Sequence, residues 1–132
     1  MIVYTHKVKG LVTIGKECIG VNHKSVLIDA SGYITIGNGV VFSVDTCIYS
    51  HEHYMNRKDK TIISQSKKYG IKQTSLIIGD DVYFGAKCII LPQVTNIPKG
   101  VIIGAGSVLT KNPTGEYEIW AGNPAKKVGE RK

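Results

Sequence analysis

The chain is short of cysteine. Cys18, Cys47 and Cys88 are odd in number, widely spaced and contain no C-x-x-C pair. They read as small buried thiols in a reducing compartment, which makes the expected location cytoplasmic. There is no apolar run near the ~20 residues that a membrane-spanning helix needs, so no membrane insertion is expected. The start, MIVYTHKVKG, lacks the apolar stretch of a signal peptide. Acidic residues are also few, 10 against 17 Lys and Arg, for a net charge of +7.

That charge does not point to nucleic acid. Residues 1–49 carry +1, 50–74 carry +4, 75–110 carry zero and 111–132 carry +2. The excess sits in one stretch and the tail, without a basic stripe interleaved with aromatics. A small anionic ligand suits this distribution better. What is present is globular: 132 residues, 42% apolar and 20% charged, with 15 glycines. One domain over 1–132 is expected, since two would each fall below the usual domain size.

The glycines belong to a repeat. Across residues 75–95 a branched apolar or aromatic residue returns at every sixth position, Ile78, Phe84 and Ile90, twice followed by glycine. The phase slips by one after Asn96 and resumes at Ile97, Ile103 and Leu109. Ile36-Gly37, Phe42 and Ile48 show the same spacing, and Ile14-Gly15 and Ile19-Gly20 follow it loosely. An amphipathic helix would return at three and four, and sandwich strands every 8–12 residues. A period of six fits very short strands, each presenting one inward side chain, joined by tight corners and stacked to form a shared core.

Residues 50–74 break the period and form a charged excursion, expected as a loop with two histidines, His51 and His53, at its entrance. The tail, about 112–132, carries the lone tryptophan and a basic cluster; its last residues are expected to form a brief helix closing the coil stack.

The stretch SLIIGDDVYFGAKCIILPQVTNIPKGVIIGAGSVLTK, followed by WAGNPAKKV, resembles the hexapeptide-repeat acyltransferases, nearest to the maltose, galactoside and polysaccharide O-acetyltransferases. The resemblance runs from about Ile14 to the C-terminus. It implies an all-β fold, a left-handed parallel β-helix, against the usual crossover hand, assembled as a homotrimer. It also implies acetyl-CoA as co-substrate, bound between subunits, direct transfer to a hydroxyl of a carbohydrate acceptor, and no metal.

Counting from Thr35-Ile36-Gly37, the family's catalytic histidine falls on His53, with His51 the near competitor. Imidazole titrates near neutrality, as a base for a sugar hydroxyl should. Alternation along an extended segment places both rings on one face. The VWIG-like motif reads Val82-Tyr83-Phe84-Gly85, which makes the N–H of Ala86 the donor to the thioester oxyanion. For the donor groove the resemblance implies Tyr83, where the family often has tryptophan, Gly85, Ala86, Gly104, Ala105, Thr110, Lys111 and Lys126. For the acceptor it implies Asn22, His23, Asp29 and Arg57. His23 stands where galactoside-type relatives carry asparagine. An N-acetyltransferase of an amino sugar is an alternative on the same scaffold. So are a γ-carbonic-anhydrase-like zinc protein, using His23, His51 and His53, and a non-catalytic scaffold.

Overall fold

The computed structural model describes residues 1–5 and 10–132, and the chain winds as a coil of three flat faces. The first turn contains β1 (Ile2–Tyr4) and β2 (Leu11–Ile14). The second contains β3 (Leu27–Asp29), β4 (Tyr33–Ile36) and β5 (Val41–Phe42). The third starts with β6 (Cys47–Ile48), leaves the scaffold through β7 (His51–His53), α1 (Ile62–Tyr69) and β8 (Ile71–Gln73), and returns as β9 (Ser75–Ile78) and β10 (Tyr83–Phe84). β11 (Ile89–Ile90), β12 (Asn96–Ile97) and β13 (Ile102–Ile103) make the fourth turn. β14 (Val108–Leu109), β15 (Glu118–Gly122) and β16 (Ala125–Glu130) complete the chain.

Strands stack in parallel across turns. One face is β1-β3-β6-β11-β14, the second is β2-β4-β9-β12, and the third is β5-β10-β13-β15 with β16 added antiparallel. This is the left-handed parallel β-helix that the resemblance implies. Among the described residues, no helix is long and apolar enough to cross a membrane.

The six-residue slots are the core ladders. Ile28, Ile48, Ile90 and Leu109 align on the first face, Ile36, Ile78 and Ile97 on the second, and Phe42, Phe84, Ile103 and Trp120 on the third. All are buried, each contributing about 1.5–3 kcal/mol of apolar transfer. The Phe42 and Phe84 rings stack with centroids 5.2 Å apart and planes 9° from parallel.

Each repeat buries two side chains rather than the single one expected. A smaller residue two positions earlier, such as Val40, Val82, Cys88 or Val101, also points inward. The phase slip falls at Thr95-Asn96, whose amides both donate to Oδ1 of Asn112 (2.8 and 3.2 Å).

The first turn departs from the repeat. Ile19 bridges to Val41 rather than Phe42, so it takes an outward slot and is 62% exposed. Ile14 keeps register with Ile36 but lies exposed on the outermost strand of its face.

Two expectations for the irregular segments are corrected. The excursion is not a bare loop: β7 and β8 pair antiparallel and α1 lies between them. Its neck is closed by the amide of Thr74 donating to the carbonyl of Ser50 (3.0 Å). The tail forms strand β16, not a helix, because the open edge of β15 offers it backbone partners from Glu118 to Gly122. Buried Glu118 ties this hairpin down, accepting from Thr114, Gly115 and Trp120 Nε1 and pairing with Lys127 at 3.1 Å. Burial would raise its carboxyl, but these hydrogen bonds hold it at about 2.

Candidate active site

Asp29 ends β3 and is wholly buried, which requires a set of donors around its carboxylate. Oδ1 accepts from the Ser31 amide (3.0 Å), and Oδ2 accepts from the Ser50 amide (2.9 Å). Ser50 Oγ in turn donates to the Asp29 carbonyl and accepts from the Gly32 amide at 2.8 Å. The Ser31 side chain donates to the carboxylate as well, and His51 completes the set: its Nδ1 lies 2.5 Å from Oδ2 of Asp29. Burial works to raise the Asp29 carboxyl, but hydrogen bonds from Ser31, Ser50 and His51 outweigh it and hold the group below its ordinary value. An ionised Asp29 accepts, so it assigns the imidazole proton to Nδ1 and the lone pair to Nε2.

His53 follows on the same face of β7, its ring edge-on to His51 with centroids 5.3 Å apart and planes at 79°. Its Nδ1 is 3.4 Å from Ser66 Oγ on α1. That helix begins at Thr61, whose Oγ1 accepts from the Ser64 amide (3.1 Å), and ends at Gly70, with φ of 74°. Gln65, buried, ties α1 to the strap before it through the Arg57 amide and carbonyl.

Two hollows flank the histidines. One of about 370 Å³ is lined by His51, His53, Met55, Leu91 and Gln93, among others. Another of about 280 Å³ is lined by His53, Tyr54, Arg57, Gln65 and Tyr69.

The structure thus brings together His51, His53 and Arg57, with Asp29 behind them. Asp29, expected at the acceptor, is enclosed beneath His51 and lines neither of these hollows. Asn22 and His23 occupy the exposed turn between β2 and β3 and line neither hollow. Among the described residues, no three His, Cys, Asp or Glu side chains gather as a metal site needs, so His23, His51 and His53 form no zinc triad.

The donor-groove residues fall elsewhere on the coil. Ala86 occupies the corner between β10 and β11, whereas the histidines leave from the corner between β6 and β9. Among the described residues, nothing accepts from the N–H of Ala86. Tyr83 is partly exposed, its Oη accepting from Ser43 Oγ at 3.2 Å. Gly85 and Gly104 are packing positions: a Cβ on Gly85 would come within 2.4 Å of the Ala105 amide nitrogen, and one on Gly104 within 3.0 Å of the Ala121 Cβ. Thr110 is half-buried at the end of β14. The Lys111 ammonium lies 5.9 Å from the Trp120 ring centroid, and Lys126 is exposed on β16. Ser31, Ser50, Ser66, Tyr54, Tyr69 and Gln73, whose Nε2 donates to the Ser31 carbonyl at 2.8 Å, are contributors that motif reading missed. Only the order of the coils, which sets a rung beside its neighbour, could have pointed to Ser31 and Ser50.

No family model matches the chain. It is 38% identical over 60 residues to a chloramphenicol acetyltransferase of Klebsiella aerogenes, covering 46% of this chain and 28% of that protein. It is 32% identical over 118 residues to a Schizosaccharomyces pombe protein named as an acetyltransferase, covering 89% of this chain and 52% of that one. The chain therefore spans about half or less of the length of these curated relatives. A hexapeptide-repeat acetyltransferase of Vibrio cholerae superimposes with a TM-score of 0.76 at 23% identity, covering 92% of this chain and 63% of that one. The fold is that of the hexapeptide-repeat acetyltransferases. A galactoside acetyltransferase solved with coenzyme A gives a TM-score of 0.72 at 24% identity, covering 90% of this chain and 55% of that one. Within this hexapeptide-repeat scaffold, the excursion holding His51 and His53 is the main interruption of the coil.

Proposed function

We propose that this chain is an acetyl-CoA-dependent O-acetyltransferase acting on a hydroxyl of a sugar or glycan. The single observation that carries the reading is the His51–Asp29 pair beside an open hollow. A histidine whose tautomer is set by a buried carboxylate is built to take a proton at its outer nitrogen. The named activities of the relatives, and the coenzyme A held by the galactoside acetyltransferase, supply the donor chemistry.

In this reading His51 is the general base. Counting along the repeat favours His53 instead; the buried carboxylate beneath His51 supports His51 in that role. The acceptor hydroxyl loses its proton to Nε2 of His51 as its oxygen attacks the thioester carbonyl. The oxyanion takes the hydrogen bond from the Ala86 N–H, a fixed donor on a rigid corner. Collapse breaks the C–S bond, and the imidazolium returns the proton to the departing thiolate. The donor lies along Tyr83, Gly85, Gly104 and Ala105, with Thr110 and Lys111 toward its adenine end and Lys126 near its phosphates.

Because His51 and Ala86 stand at different edges of one coil, a neighbouring copy supplies the donor amide, and we propose a homotrimer. Outward apolar residues, Tyr33 and Ile77 on the second face among them, suit contact between copies. Free Cys18, Cys47 and Cys88 suit a reducing, cytoplasmic setting. The test is calorimetric titration with acetyl-CoA followed by thiol release with a panel of sugars. Binding near one ligand per chain with sugar-dependent release is expected; no binding at millimolar acetyl-CoA would overturn the reading.

A further inference from the structure

The excursion contains a second concavity beyond the histidines. Arg57, Lys60, Ser64, Gln65, Lys68 and Tyr69 line a hollow of about 190 Å³. It shares Arg57, Gln65 and Tyr69 with the hollow that reaches His53, so the two are contiguous. Ser64 and Lys68, four residues apart, fall on one face of α1, and Lys60 in the strap before the helix lines the same hollow.

The charge in this hollow is largely uncompensated. The excursion has two acids, and both are engaged: Asp59 with Arg57 through Nη2 at 2.6 Å, and Glu52 with Lys72 at 3.9 Å. Lys60 and Lys68 have no carboxylate partner among the described residues. The Lys68 ammonium lies 5.3 Å from the Tyr69 ring centroid, and the Tyr54 and Tyr69 rings are tilted together at 5.4 Å. Cations beside an aromatic wall and two neutral hydrogen-bonding side chains make a mixed surface. It offers the ring to the C–H face of a sugar and the cations to an anionic group. The exposed Ile62 and Ile63 of the same helix do not line it.

We propose that this hollow is an acceptor subsite for a sugar bearing an anionic group, a carboxylate or a phosphate. The proposal rests on the transferase reading for the chemistry that follows binding, but not for the binding itself. The anion sits between Lys60 and Lys68, the ring lies against Tyr69, and a hydroxyl points back toward the histidines.

Glucuronate, glucose 1-phosphate and glucose are titrated calorimetrically against the full chain and against Lys60→Ser/Lys68→Ser, and tried as acceptors with acetyl-CoA. At least tenfold tighter binding of one anionic sugar than of glucose is expected, reduced to the level of glucose in the double variant. Which of the two binds identifies carboxylate or phosphate as the anion. Binding of an anionic sugar without acetyl transfer keeps the subsite and removes the transferase reading. Equal binding of all three sugars overturns the subsite. So does a double variant that loses acetyl-CoA instead, or binding only to phosphatidylglycerol vesicles.

Discussion

His51 and Asp29 meet across one rung of the coil, Nδ1 to Oδ2 at 2.5 Å, although 22 residues separate them in sequence. Removing the charge while keeping the shape isolates what the contact does. Asp29→Asn is expected to lower kcat by about 10²-fold, because the ring loses the partner that fixes its tautomer. His51→Ala should lose at least as much, and His53→Ala less. Steady-state kinetics on the three variants decide between the two histidines: full activity in His51→Ala would return the role of base to His53.

The Ala86 amide can be removed without changing the corner. Pro92 occupies the equivalent place one repeat later, and both corners are closed by an amide-to-carbonyl hydrogen bond across four residues, Cys88 to Gly85 and Val94 to Leu91, although Lys87 has a positive φ of 61° and Gln93 does not. Ala86→Pro should therefore fold and lose about 10²–10³-fold in kcat. Co-expressed with His51→Ala, it should recover about a quarter of wild-type activity at equal mixing, since some sites then join an intact histidine to an intact neighbouring amide. No recovery would mean that each chain builds its site alone.

Gly85 lies against the next turn. A Cβ there would meet the Ala105 nitrogen at 2.4 Å and the Gly104 carbonyl carbon at 2.7 Å, both backbone atoms. Gly85→Ala is expected to cost about 2 kcal/mol or more, as neighbouring coils are forced apart. Denaturant titration measures it; an unchanged midpoint would show that the stack yields at this corner.

Glu118 makes the C-terminal hairpin sensitive to acid. Its carboxyl moves from an ordinary value of 4.5 to about 2 on folding, so its contribution is complete above 4.5 and is lost as pH falls toward 2. Glu118→Gln should cost about 1–3 kcal/mol at neutral pH and flatten the stability profile between those values. Thermal melts from pH 2 to 7 show whether the two profiles converge at low pH, as expected.

Periodicity made the coil readable, because a side chain at every sixth residue faces a shared core whatever its neighbours do. Ile36, Phe42, Ile48, Ile78, Phe84 and Ile90 all appear where the spacing places them. The second inward position stayed hidden because it is small and chemically mixed, with Val82 in one repeat and Thr46 or Ser107 in others. The strand in the tail was not legible, because β16 depends on the open edge of β15, a partner that local propensity does not reveal. At the candidate site, the two histidines announced themselves by spacing. Asp29 is expected at the acceptor, because only the register of β3 against β6 shows it enclosed beneath the excursion.

The neck of the excursion has a consequence for how such a molecule can change. Ser50 and Thr74 are joined by a backbone hydrogen bond, so everything between them enters and leaves at one point. The coil resumes with Ser75 in register with Tyr33, as though the intervening chain were absent. Insertions, deletions or exchange beyond His51, which partners Asp29 of the scaffold, are then not transmitted to the rungs above and below. The scaffold and the cassette are separable, and a lineage can try new cassettes without refolding the prism that carries them.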